Sequence, residues 1–365
     1  MPLDPFFAER LRVHRRHLYD KARGAMRARL MALLPFGRSA PAADPSPVDE
    51  SRPIGREGSI APPLGPRARA RARNRAAAIA WDCRELKAVG TRGPRIPITE
   101  HELTADGVPP FRVRIYHPAE PGETLVPGCL ALFGGAFRIG GIDYPTTDAG
   151  NRRRAADSGV AMVAVDYALA PEHQFPTQIE QAYAALVWLF EHGAEVGVDP
   201  QRIGILGTSA GGNIATAVTL MNRDRRGLPI RLQVLEVPVT DLTGGHIDLA
   251  ATRALGIPSF IAKRELRSVV RTYLPHLRDA KKPYASPLLA DSHEGLPPAV
   301  VLTAEYDPLR GDGAAYTAAL RAAGVEASAV RYLGVTHDTP IFTGVLPAAR
   351  RWHDEIVTAL RRLHE

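Results

Sequence analysis

Apolar and polar positions along this chain of 365 residues change their rhythm three times. Between residues 3 and 34, Leu3, Phe7, Leu11, His14, Leu18, Ala22, Met26 and Leu30 recur at helical spacings with arginines between them. The spacing predicts one or two amphipathic helices whose stripe packs on the same protein. From 35 to 66 the chain is rich in Pro, Ala, Ser and Gly and has no period, which predicts a linker. Residues 66–75 alternate arginine with alanine, the pattern of a solvated helix face.

A second rhythm starts near Ile96. Ile98-Thr-Glu-His-Glu-Leu103 and Phe111-Arg-Val-Arg-Ile-Tyr116 alternate apolar with polar across a turn at Asp106-Gly107. They predict an antiparallel pair with one wet face. Then Cys129-Leu-Ala-Leu-Phe133 and Ala161-Met-Val-Ala-Val165 run apolar without interruption, as strands covered on both faces do. Helix and strand patterns alternate from there to the last helix, which predicts a doubly wound, mostly parallel α/β sheet of about eight strands flanked by helices. The interval between Val237 and Ala299 is too long for an ordinary connection, and its segment at about 241–282 is expected to form a cap with the N-terminal helices. The expected division is 1–95, a basic helical cap segment and linker, and 96–365, a catalytic domain.

Charge follows that division. Residues 1–80 hold 16 Lys and Arg against 7 Asp and Glu, leaving 30 against 32 in the remainder, so the formal charge of +7 belongs to the appendage. A near-neutral body suits a neutral substrate better than a polyanion. Cys83 and Cys129, far apart, suggest neither a disulfide framework nor a thiolate metal site. With no export signal or long apolar run visible, a cytoplasmic location is expected.

The chemistry gathers at Ile203-Gly-Ile-Leu-Gly-Thr-Ser-Ala-Gly-Gly212, which reads as strand, sharp turn and helix. Small neighbours let the chain fold back at Ser209, presenting it as a nucleophile; alone, the same glycines could open a phosphate-binding or merely packed helix. A serine needs a base and a group to orient it, and in open α/β sheets such groups follow the carboxyl ends of strands. Asp307 and His337 each come just past a predicted strand, in the order serine, acid, base. Asp312 and Asp338 are the rival acids, one expected to open a helix and the other adjoining the histidine. His173 precedes the serine and reads as a turn residue, and His246, His276, His293 and His353 read as surface residues. The turn Phe133-Gly-Gly-Ala-Phe137 can aim the N–H groups of Gly134 and Gly135, with that of Ala210, at an oxyanion.

These residues, with Asp166-Tyr-Ala-Leu-Ala-Pro-Glu-His173, Asp199-Pro-Gln-Arg-Ile203 and Ala285-Ser-Pro-Leu-Leu-Ala290, resemble the hormone-sensitive-lipase-like family of bacterial carboxylesterases, in the α/β-hydrolase superfamily, over roughly 96–345. The resemblance implies a serine carboxylesterase with Ser209, Asp307 and His337 as its triad, an N-terminal cap and no cofactor or metal. Three positions depart from the family. Phe133 replaces the usual histidine of His-Gly-Gly-Gly, Thr208 stands where many members have aspartate, and Asp338 stands where glycine is commoner. The expected partner is a small-molecule ester of short to medium chain length, in a pocket drawing on Phe133, Phe137, Phe260, Ile261 and Ile341. Neither nucleic acid nor stable membrane insertion is expected, and the oligomeric state is open, a homodimer included. An acyltransferase or amidase with the same triad, or a non-catalytic ligand-binding protein, is the alternative; the presence of His337 argues against the last.

Overall fold

The computed structural model describes residues 1–13, 15–16, 65–122 and 124–365. The predicted linker and most of the N-terminal stripe lie outside these residues. The chain falls into two units, Asp4–Arg73 on one hand and Met1–Leu3 with Asn74–Glu365 on the other. In the smaller unit residues 5–13 are helical. The Asp4 carboxylate accepts the N–H of Phe6 at 2.9 Å, satisfying one of the donors a helix start leaves free.

Helix α1 (Pro66–Ala88) carries the arginine-rich run and leads into the larger unit. There β1 (Ile98–Ala105) and β2 (Val108–Tyr116) form the expected antiparallel pair, Ile98 opposite Tyr116. In chain order follow β3 (Val126–Leu132), α2 (Pro145–Ser158), β4 (Ala161–Val165), α3 (Thr177–His192), β5 (Val198–Thr208), α4 (Ala210–Arg225) and β6 (Ile230–Glu236). The connection after β6 holds α5 (Leu249–Ala254) and α6 (Ser259–Tyr273), and the chain ends with β7 (Ala299–Ala304), α7 (Arg310–Ala322), β8 (Ala327–Tyr332) and α8 (Pro347–Arg361).

The eight strands make one sheet in the order β1-β2-β4-β3-β5-β6-β7-β8, antiparallel from β1 to β4 and parallel from there on. All five residues of β4 and all six of β7 are buried, which is why their sequences carry no polar face. The ends of α2 have local causes. Pro145 pre-sets the first turn of α2, and Gly159, left-handed at φ 74°, ends it while its N–H closes on the Ala155 carbonyl. The first 13 residues of α4, Ala210 to Asn222, are all buried beneath the sheet's central strands.

The register of that centre positions the site. Leu132 at the end of β3 pairs with Gly207 near the end of β5, so the turn after β3 and the serine after β5 emerge side by side. Asp307 and His337 emerge past β7 and β8 on the same carboxyl edge.

Candidate active site

Ser209 sits at φ 55°, ψ −113°, a conformation that costs on the order of 1–3 kcal/mol for a residue with a side chain. The turn closes because its flanks are bare: a Cβ on Gly207 would meet the Gly211 carbonyl oxygen at 2.2 Å, and one on Gly211 would meet that of Leu132 at 2.1 Å. The Ser209 N–H donates to the Glu236 carbonyl at 2.8 Å, and the Ser209 carbonyl accepts from Asn213 at 3.1 Å. The elbow is thereby held on both sides.

The structure brings Ser209, His337 and Asp307 together. His337 Nε2 lies 3.0 Å from Ser209 Oγ, and His337 Nδ1 lies 2.8 Å from Asp307 Oδ2. A carboxylate only accepts, so Nδ1 carries the proton toward Asp307 and Nε2 is left to accept from the serine hydroxyl. Asp307 is buried, and its other oxygen accepts the Leu309 N–H at 2.9 Å. The Glu305 carboxylate accepts the Gly334 N–H at 2.7 Å, and the Tyr306 N–H donates to the Val335 carbonyl at 2.9 Å, so the acid-bearing and histidine-bearing loops are stitched together. Burial alone would push the imidazole down, but the Asp307 charge and hydrogen bond, with Asp338 adding its charge, push it up to about 9. Asp338 thus acts electrostatically at the rim.

Of the rival acids, Asp312 is elsewhere. Its Oδ2 accepts the N–H groups of Thr240 and Asp241 at 2.8 and 3.0 Å, while Oδ1 is buried without a partner. Burial pushes this carboxyl up to about 7 against those two hydrogen bonds. Two of the histidines read as surface residues are not. His293 is buried with Nε2 3.1 Å from the Pro287 carbonyl, and His353 is mostly covered, its Nε2 2.8 Å from Asp157. Single-residue reading missed both because each is covered by a segment distant in sequence.

The turn after β3 lies against the elbow. A Cβ on Gly134 would come within 3.4 Å of Ser209 Cβ, and Gly135 adopts φ 137° where a side chain would strike the Ile139 carbonyl at 2.0 Å. The N–H groups of Gly134, Gly135 and Ala210 have no acceptor among the described residues. Phe133 answers the loss of the family's histidine: its ring stacks on Tyr167 at 4.0 Å and its carbonyl accepts the Tyr167 hydroxyl at 2.6 Å.

Thr208 is answered from across the sheet. Its hydroxyl donates to Glu236 Oε2 at 2.7 Å, and that carboxylate also takes Arg154 at 2.6 Å and, on Oε1, the Trp352 indole N–H at 2.9 Å. Glu236 is fully buried, and this cluster beneath the serine escaped the sequence reading. The available signal was a carboxylate directly after Val234-Leu235 in the middle of the sheet, which must find partners.

A cavity of about 420 Å³ joins these parts; Ser209, His337, Gly134, Gly135, Glu236 and Arg154 line it. Phe133 and Ile341 line it as expected. Phe137, Phe260 and Ile261 do not. Phe137 is buried against Tyr273 in a stack at 3.7 Å, while Phe260 and Ile261, in the first turn of α6, are 70% and 47% exposed. Among the described residues no cluster of three or more His, Cys, Asp or Glu is arranged to hold a metal, and no helix is long and apolar enough to cross a membrane.

The chain is similar to proteins of one family. Residues 129–341 match the family described as having the alpha/beta hydrolase fold. The carboxylesterase NlhH of Mycobacterium tuberculosis is 35% identical over 290 residues, 76% of this chain and 86% of the relative. An arylesterase of Saccharolobus solfataricus is 33% identical over 258 residues, 68% of this chain and 76% of its own. Among solved structures, the thermostable carboxylesterase EstE1, cloned from a metagenomic library, superposes with a TM-score of 0.73 at 34% identity, covering 81% of this chain and 98% of its own. The hyperthermophilic esterase of Pyrobaculum calidifontis gives 0.74 at 30% identity over 100% and 99%. With the strand order, the elbow and the loop-borne acid and histidine already in place, the chain belongs to the hormone-sensitive-lipase-like family of carboxylic ester hydrolases, within the α/β-hydrolase superfamily.

Proposed function

We propose that this protein hydrolyses short- to medium-chain carboxylic esters through a covalent acyl-enzyme on Ser209. The observation that carries the reading is the unbroken contact from Ser209 Oγ through His337 to Asp307, at 3.0 and 2.8 Å, beside a turn with free N–H groups. His337 takes the serine proton as Oγ attacks the ester carbonyl, then returns it to the leaving alcohol; water repeats the cycle to release the acid. Asp307 keeps the imidazole in the required tautomer and stabilises its cation. The N–H groups of Gly134, Gly135 and Ala210 receive the negative charge that develops on the carbonyl oxygen, where a single donor is typically worth about 10²–10³ in turnover.

The two free cysteines accord with a cytoplasmic location. The substrate is a small ester, and the chemistry needs no cofactor. Measuring para-nitrophenyl ester hydrolysis by Ser209→Ala tests the assignment. Turnover should fall on the order of 10⁶-fold with the circular dichroism spectrum unchanged, whereas retained activity would refute it.

A further inference from the structure

The cavity does not stop at the serine. It reaches Leu206, three residues or about 10 Å back along β5, together with its cross-strand partner Ala131 and that residue's other partner Ala164. Ala349 and Ile356 of α8 line the same cavity. An apolar stretch of wall thus extends inward from the reacting centre.

Two consecutive arginines of α2 line the same cavity, and they differ in one respect. Arg154 is neutralised by Glu236 at 2.6 Å. The Nε of each is buried with no hydrogen-bond partner, but Arg153 donates one Nη only to the Thr91 carbonyl, and no carboxylate of the described residues pairs with it. Burial pushes this guanidinium down to about 10, Arg154 pushes it the same way, and Asp157 only partly opposes them. A cation on a cavity wall without a counter-charge leaves room for something that binds to supply the missing anion. The Nη end of a guanidinium is suited to a carboxylate, which it can bind through two hydrogen bonds.

We propose that Arg153 anchors an anionic group of the substrate, so that the preferred substrates are esters carrying a carboxylate at the end remote from the scissile bond. Ser209 and Arg153 line one cavity, so an ester seated at Ser209 can present a remote carboxylate to Arg153 with its methylene chain between them. This rests on the esterase reading above and adds to it the chemical class of the substrate. A neutral ester fills the cavity but leaves Arg153 unpaired, which sets the direction of the selectivity.

The test compares matched esters on the wild-type enzyme. Para-nitrophenyl hydrogen succinate, adipate and suberate are set against butanoate, hexanoate and octanoate, and acetates of ω-hydroxy acids against acetates of simple alcohols; the responding set names which side of the ester reaches Arg153. In at least one set kcat/KM should favour the anionic ester about tenfold or more, the worth of one charge-assisted hydrogen-bonded pair, and the ratio should shrink as salt is added. Arg153→Met should bring the ratio to about one, and Arg153→Lys should keep part of it. A wild-type preference for the neutral ester in every set overturns the proposal, as does an unchanged ratio in Arg153→Met. Failure to hydrolyse any ester would instead strike the assignment of Ser209.

Discussion

Two parts of the cavity wall are built on opposite terms. At the reacting end Ser209, His337 and Asp307 satisfy one another, and the second oxygen of Asp307 and the N–H and carbonyl of Ser209 are engaged as well. Elsewhere on the cavity wall Arg153 lacks the carboxylate that the next residue, Arg154, has. The difference teaches that the three side chains are held in mutual contact in the free protein, as preorganised catalysis would require, whereas the proposed anchor Arg153 would gain its counter-charge only from what binds. Glu236 holds Thr208, Arg154 and Trp352 at once, and Arg153 has no such carboxylate.

The largest way to break the reacting end, short of removing the serine, is Asp307→Asn. It should lower kcat by about 10⁴, the penalty the Ser-His-Asp template sets for losing the acceptor that fixes the tautomer, while Asp312→Asn leaves kcat near wild type. The reverse ranking would mean that the acid has been misassigned. Asp312 has a separate signature in stability. Its folded-state pKa of about 7 lies above the unfolded value of 3.8, so the folded form holds an extra proton between them and loses stability as pH rises through that window. Asp312→Asn removes this dependence, so melting temperatures of variant and wild type, compared at pH 5 and pH 8, should diverge in the variant's favour at the higher pH.

Next in size is the cluster beneath the serine. Glu236→Ala strips partners from Arg154, Thr208 and Trp352 at once and should destabilise the protein by about 3–5 kcal/mol in urea unfolding. Replacing Arg154 and Glu236 together by leucine should cost less than the sum of the single changes, since it leaves no orphaned charge. Simple additivity would show that the pair is not coupled. The smallest effect is graded: with His337 raised to about 9, kcat/KM should climb close to tenfold per pH unit below that value and level off above it, because only the neutral imidazole accepts the serine proton. The stability that His337 draws from Asp307 follows the opposite course. It is fully present below the unfolded value near 6.5 and is lost as pH passes about 9.

Much of this was legible in the chain. The strands announce themselves as apolar runs, and the triad follows because each member comes directly after a strand whose carboxyl end faces the site. The glycine turn after β3 was legible for the same reason. The Glu236 cluster was not, because Arg154 and Trp352 lie 82 and 116 positions from it and no local pattern relates them. The pocket wall was misread where it depended on which side of a helix faces inward. In α6 the buried positions are Val270 and Tyr273, near its end, so Phe260 and Ile261 at its start face solvent. Phe137 is apolar and close to the site in sequence, yet its ring is spent on holding α6 through Tyr273.

The central claim is that Ser209 carries the acyl group, and intact-protein mass spectrometry after treatment with an alkyl phosphonate ester tests it most directly. The reagent should add a single phosphonyl group to the peptide containing Ser209, in step with loss of ester hydrolysis, and should leave Ser209→Ala unlabelled. An adduct on any other residue that accompanies inactivation, or full inactivation with Ser209 unmodified, would contradict the account.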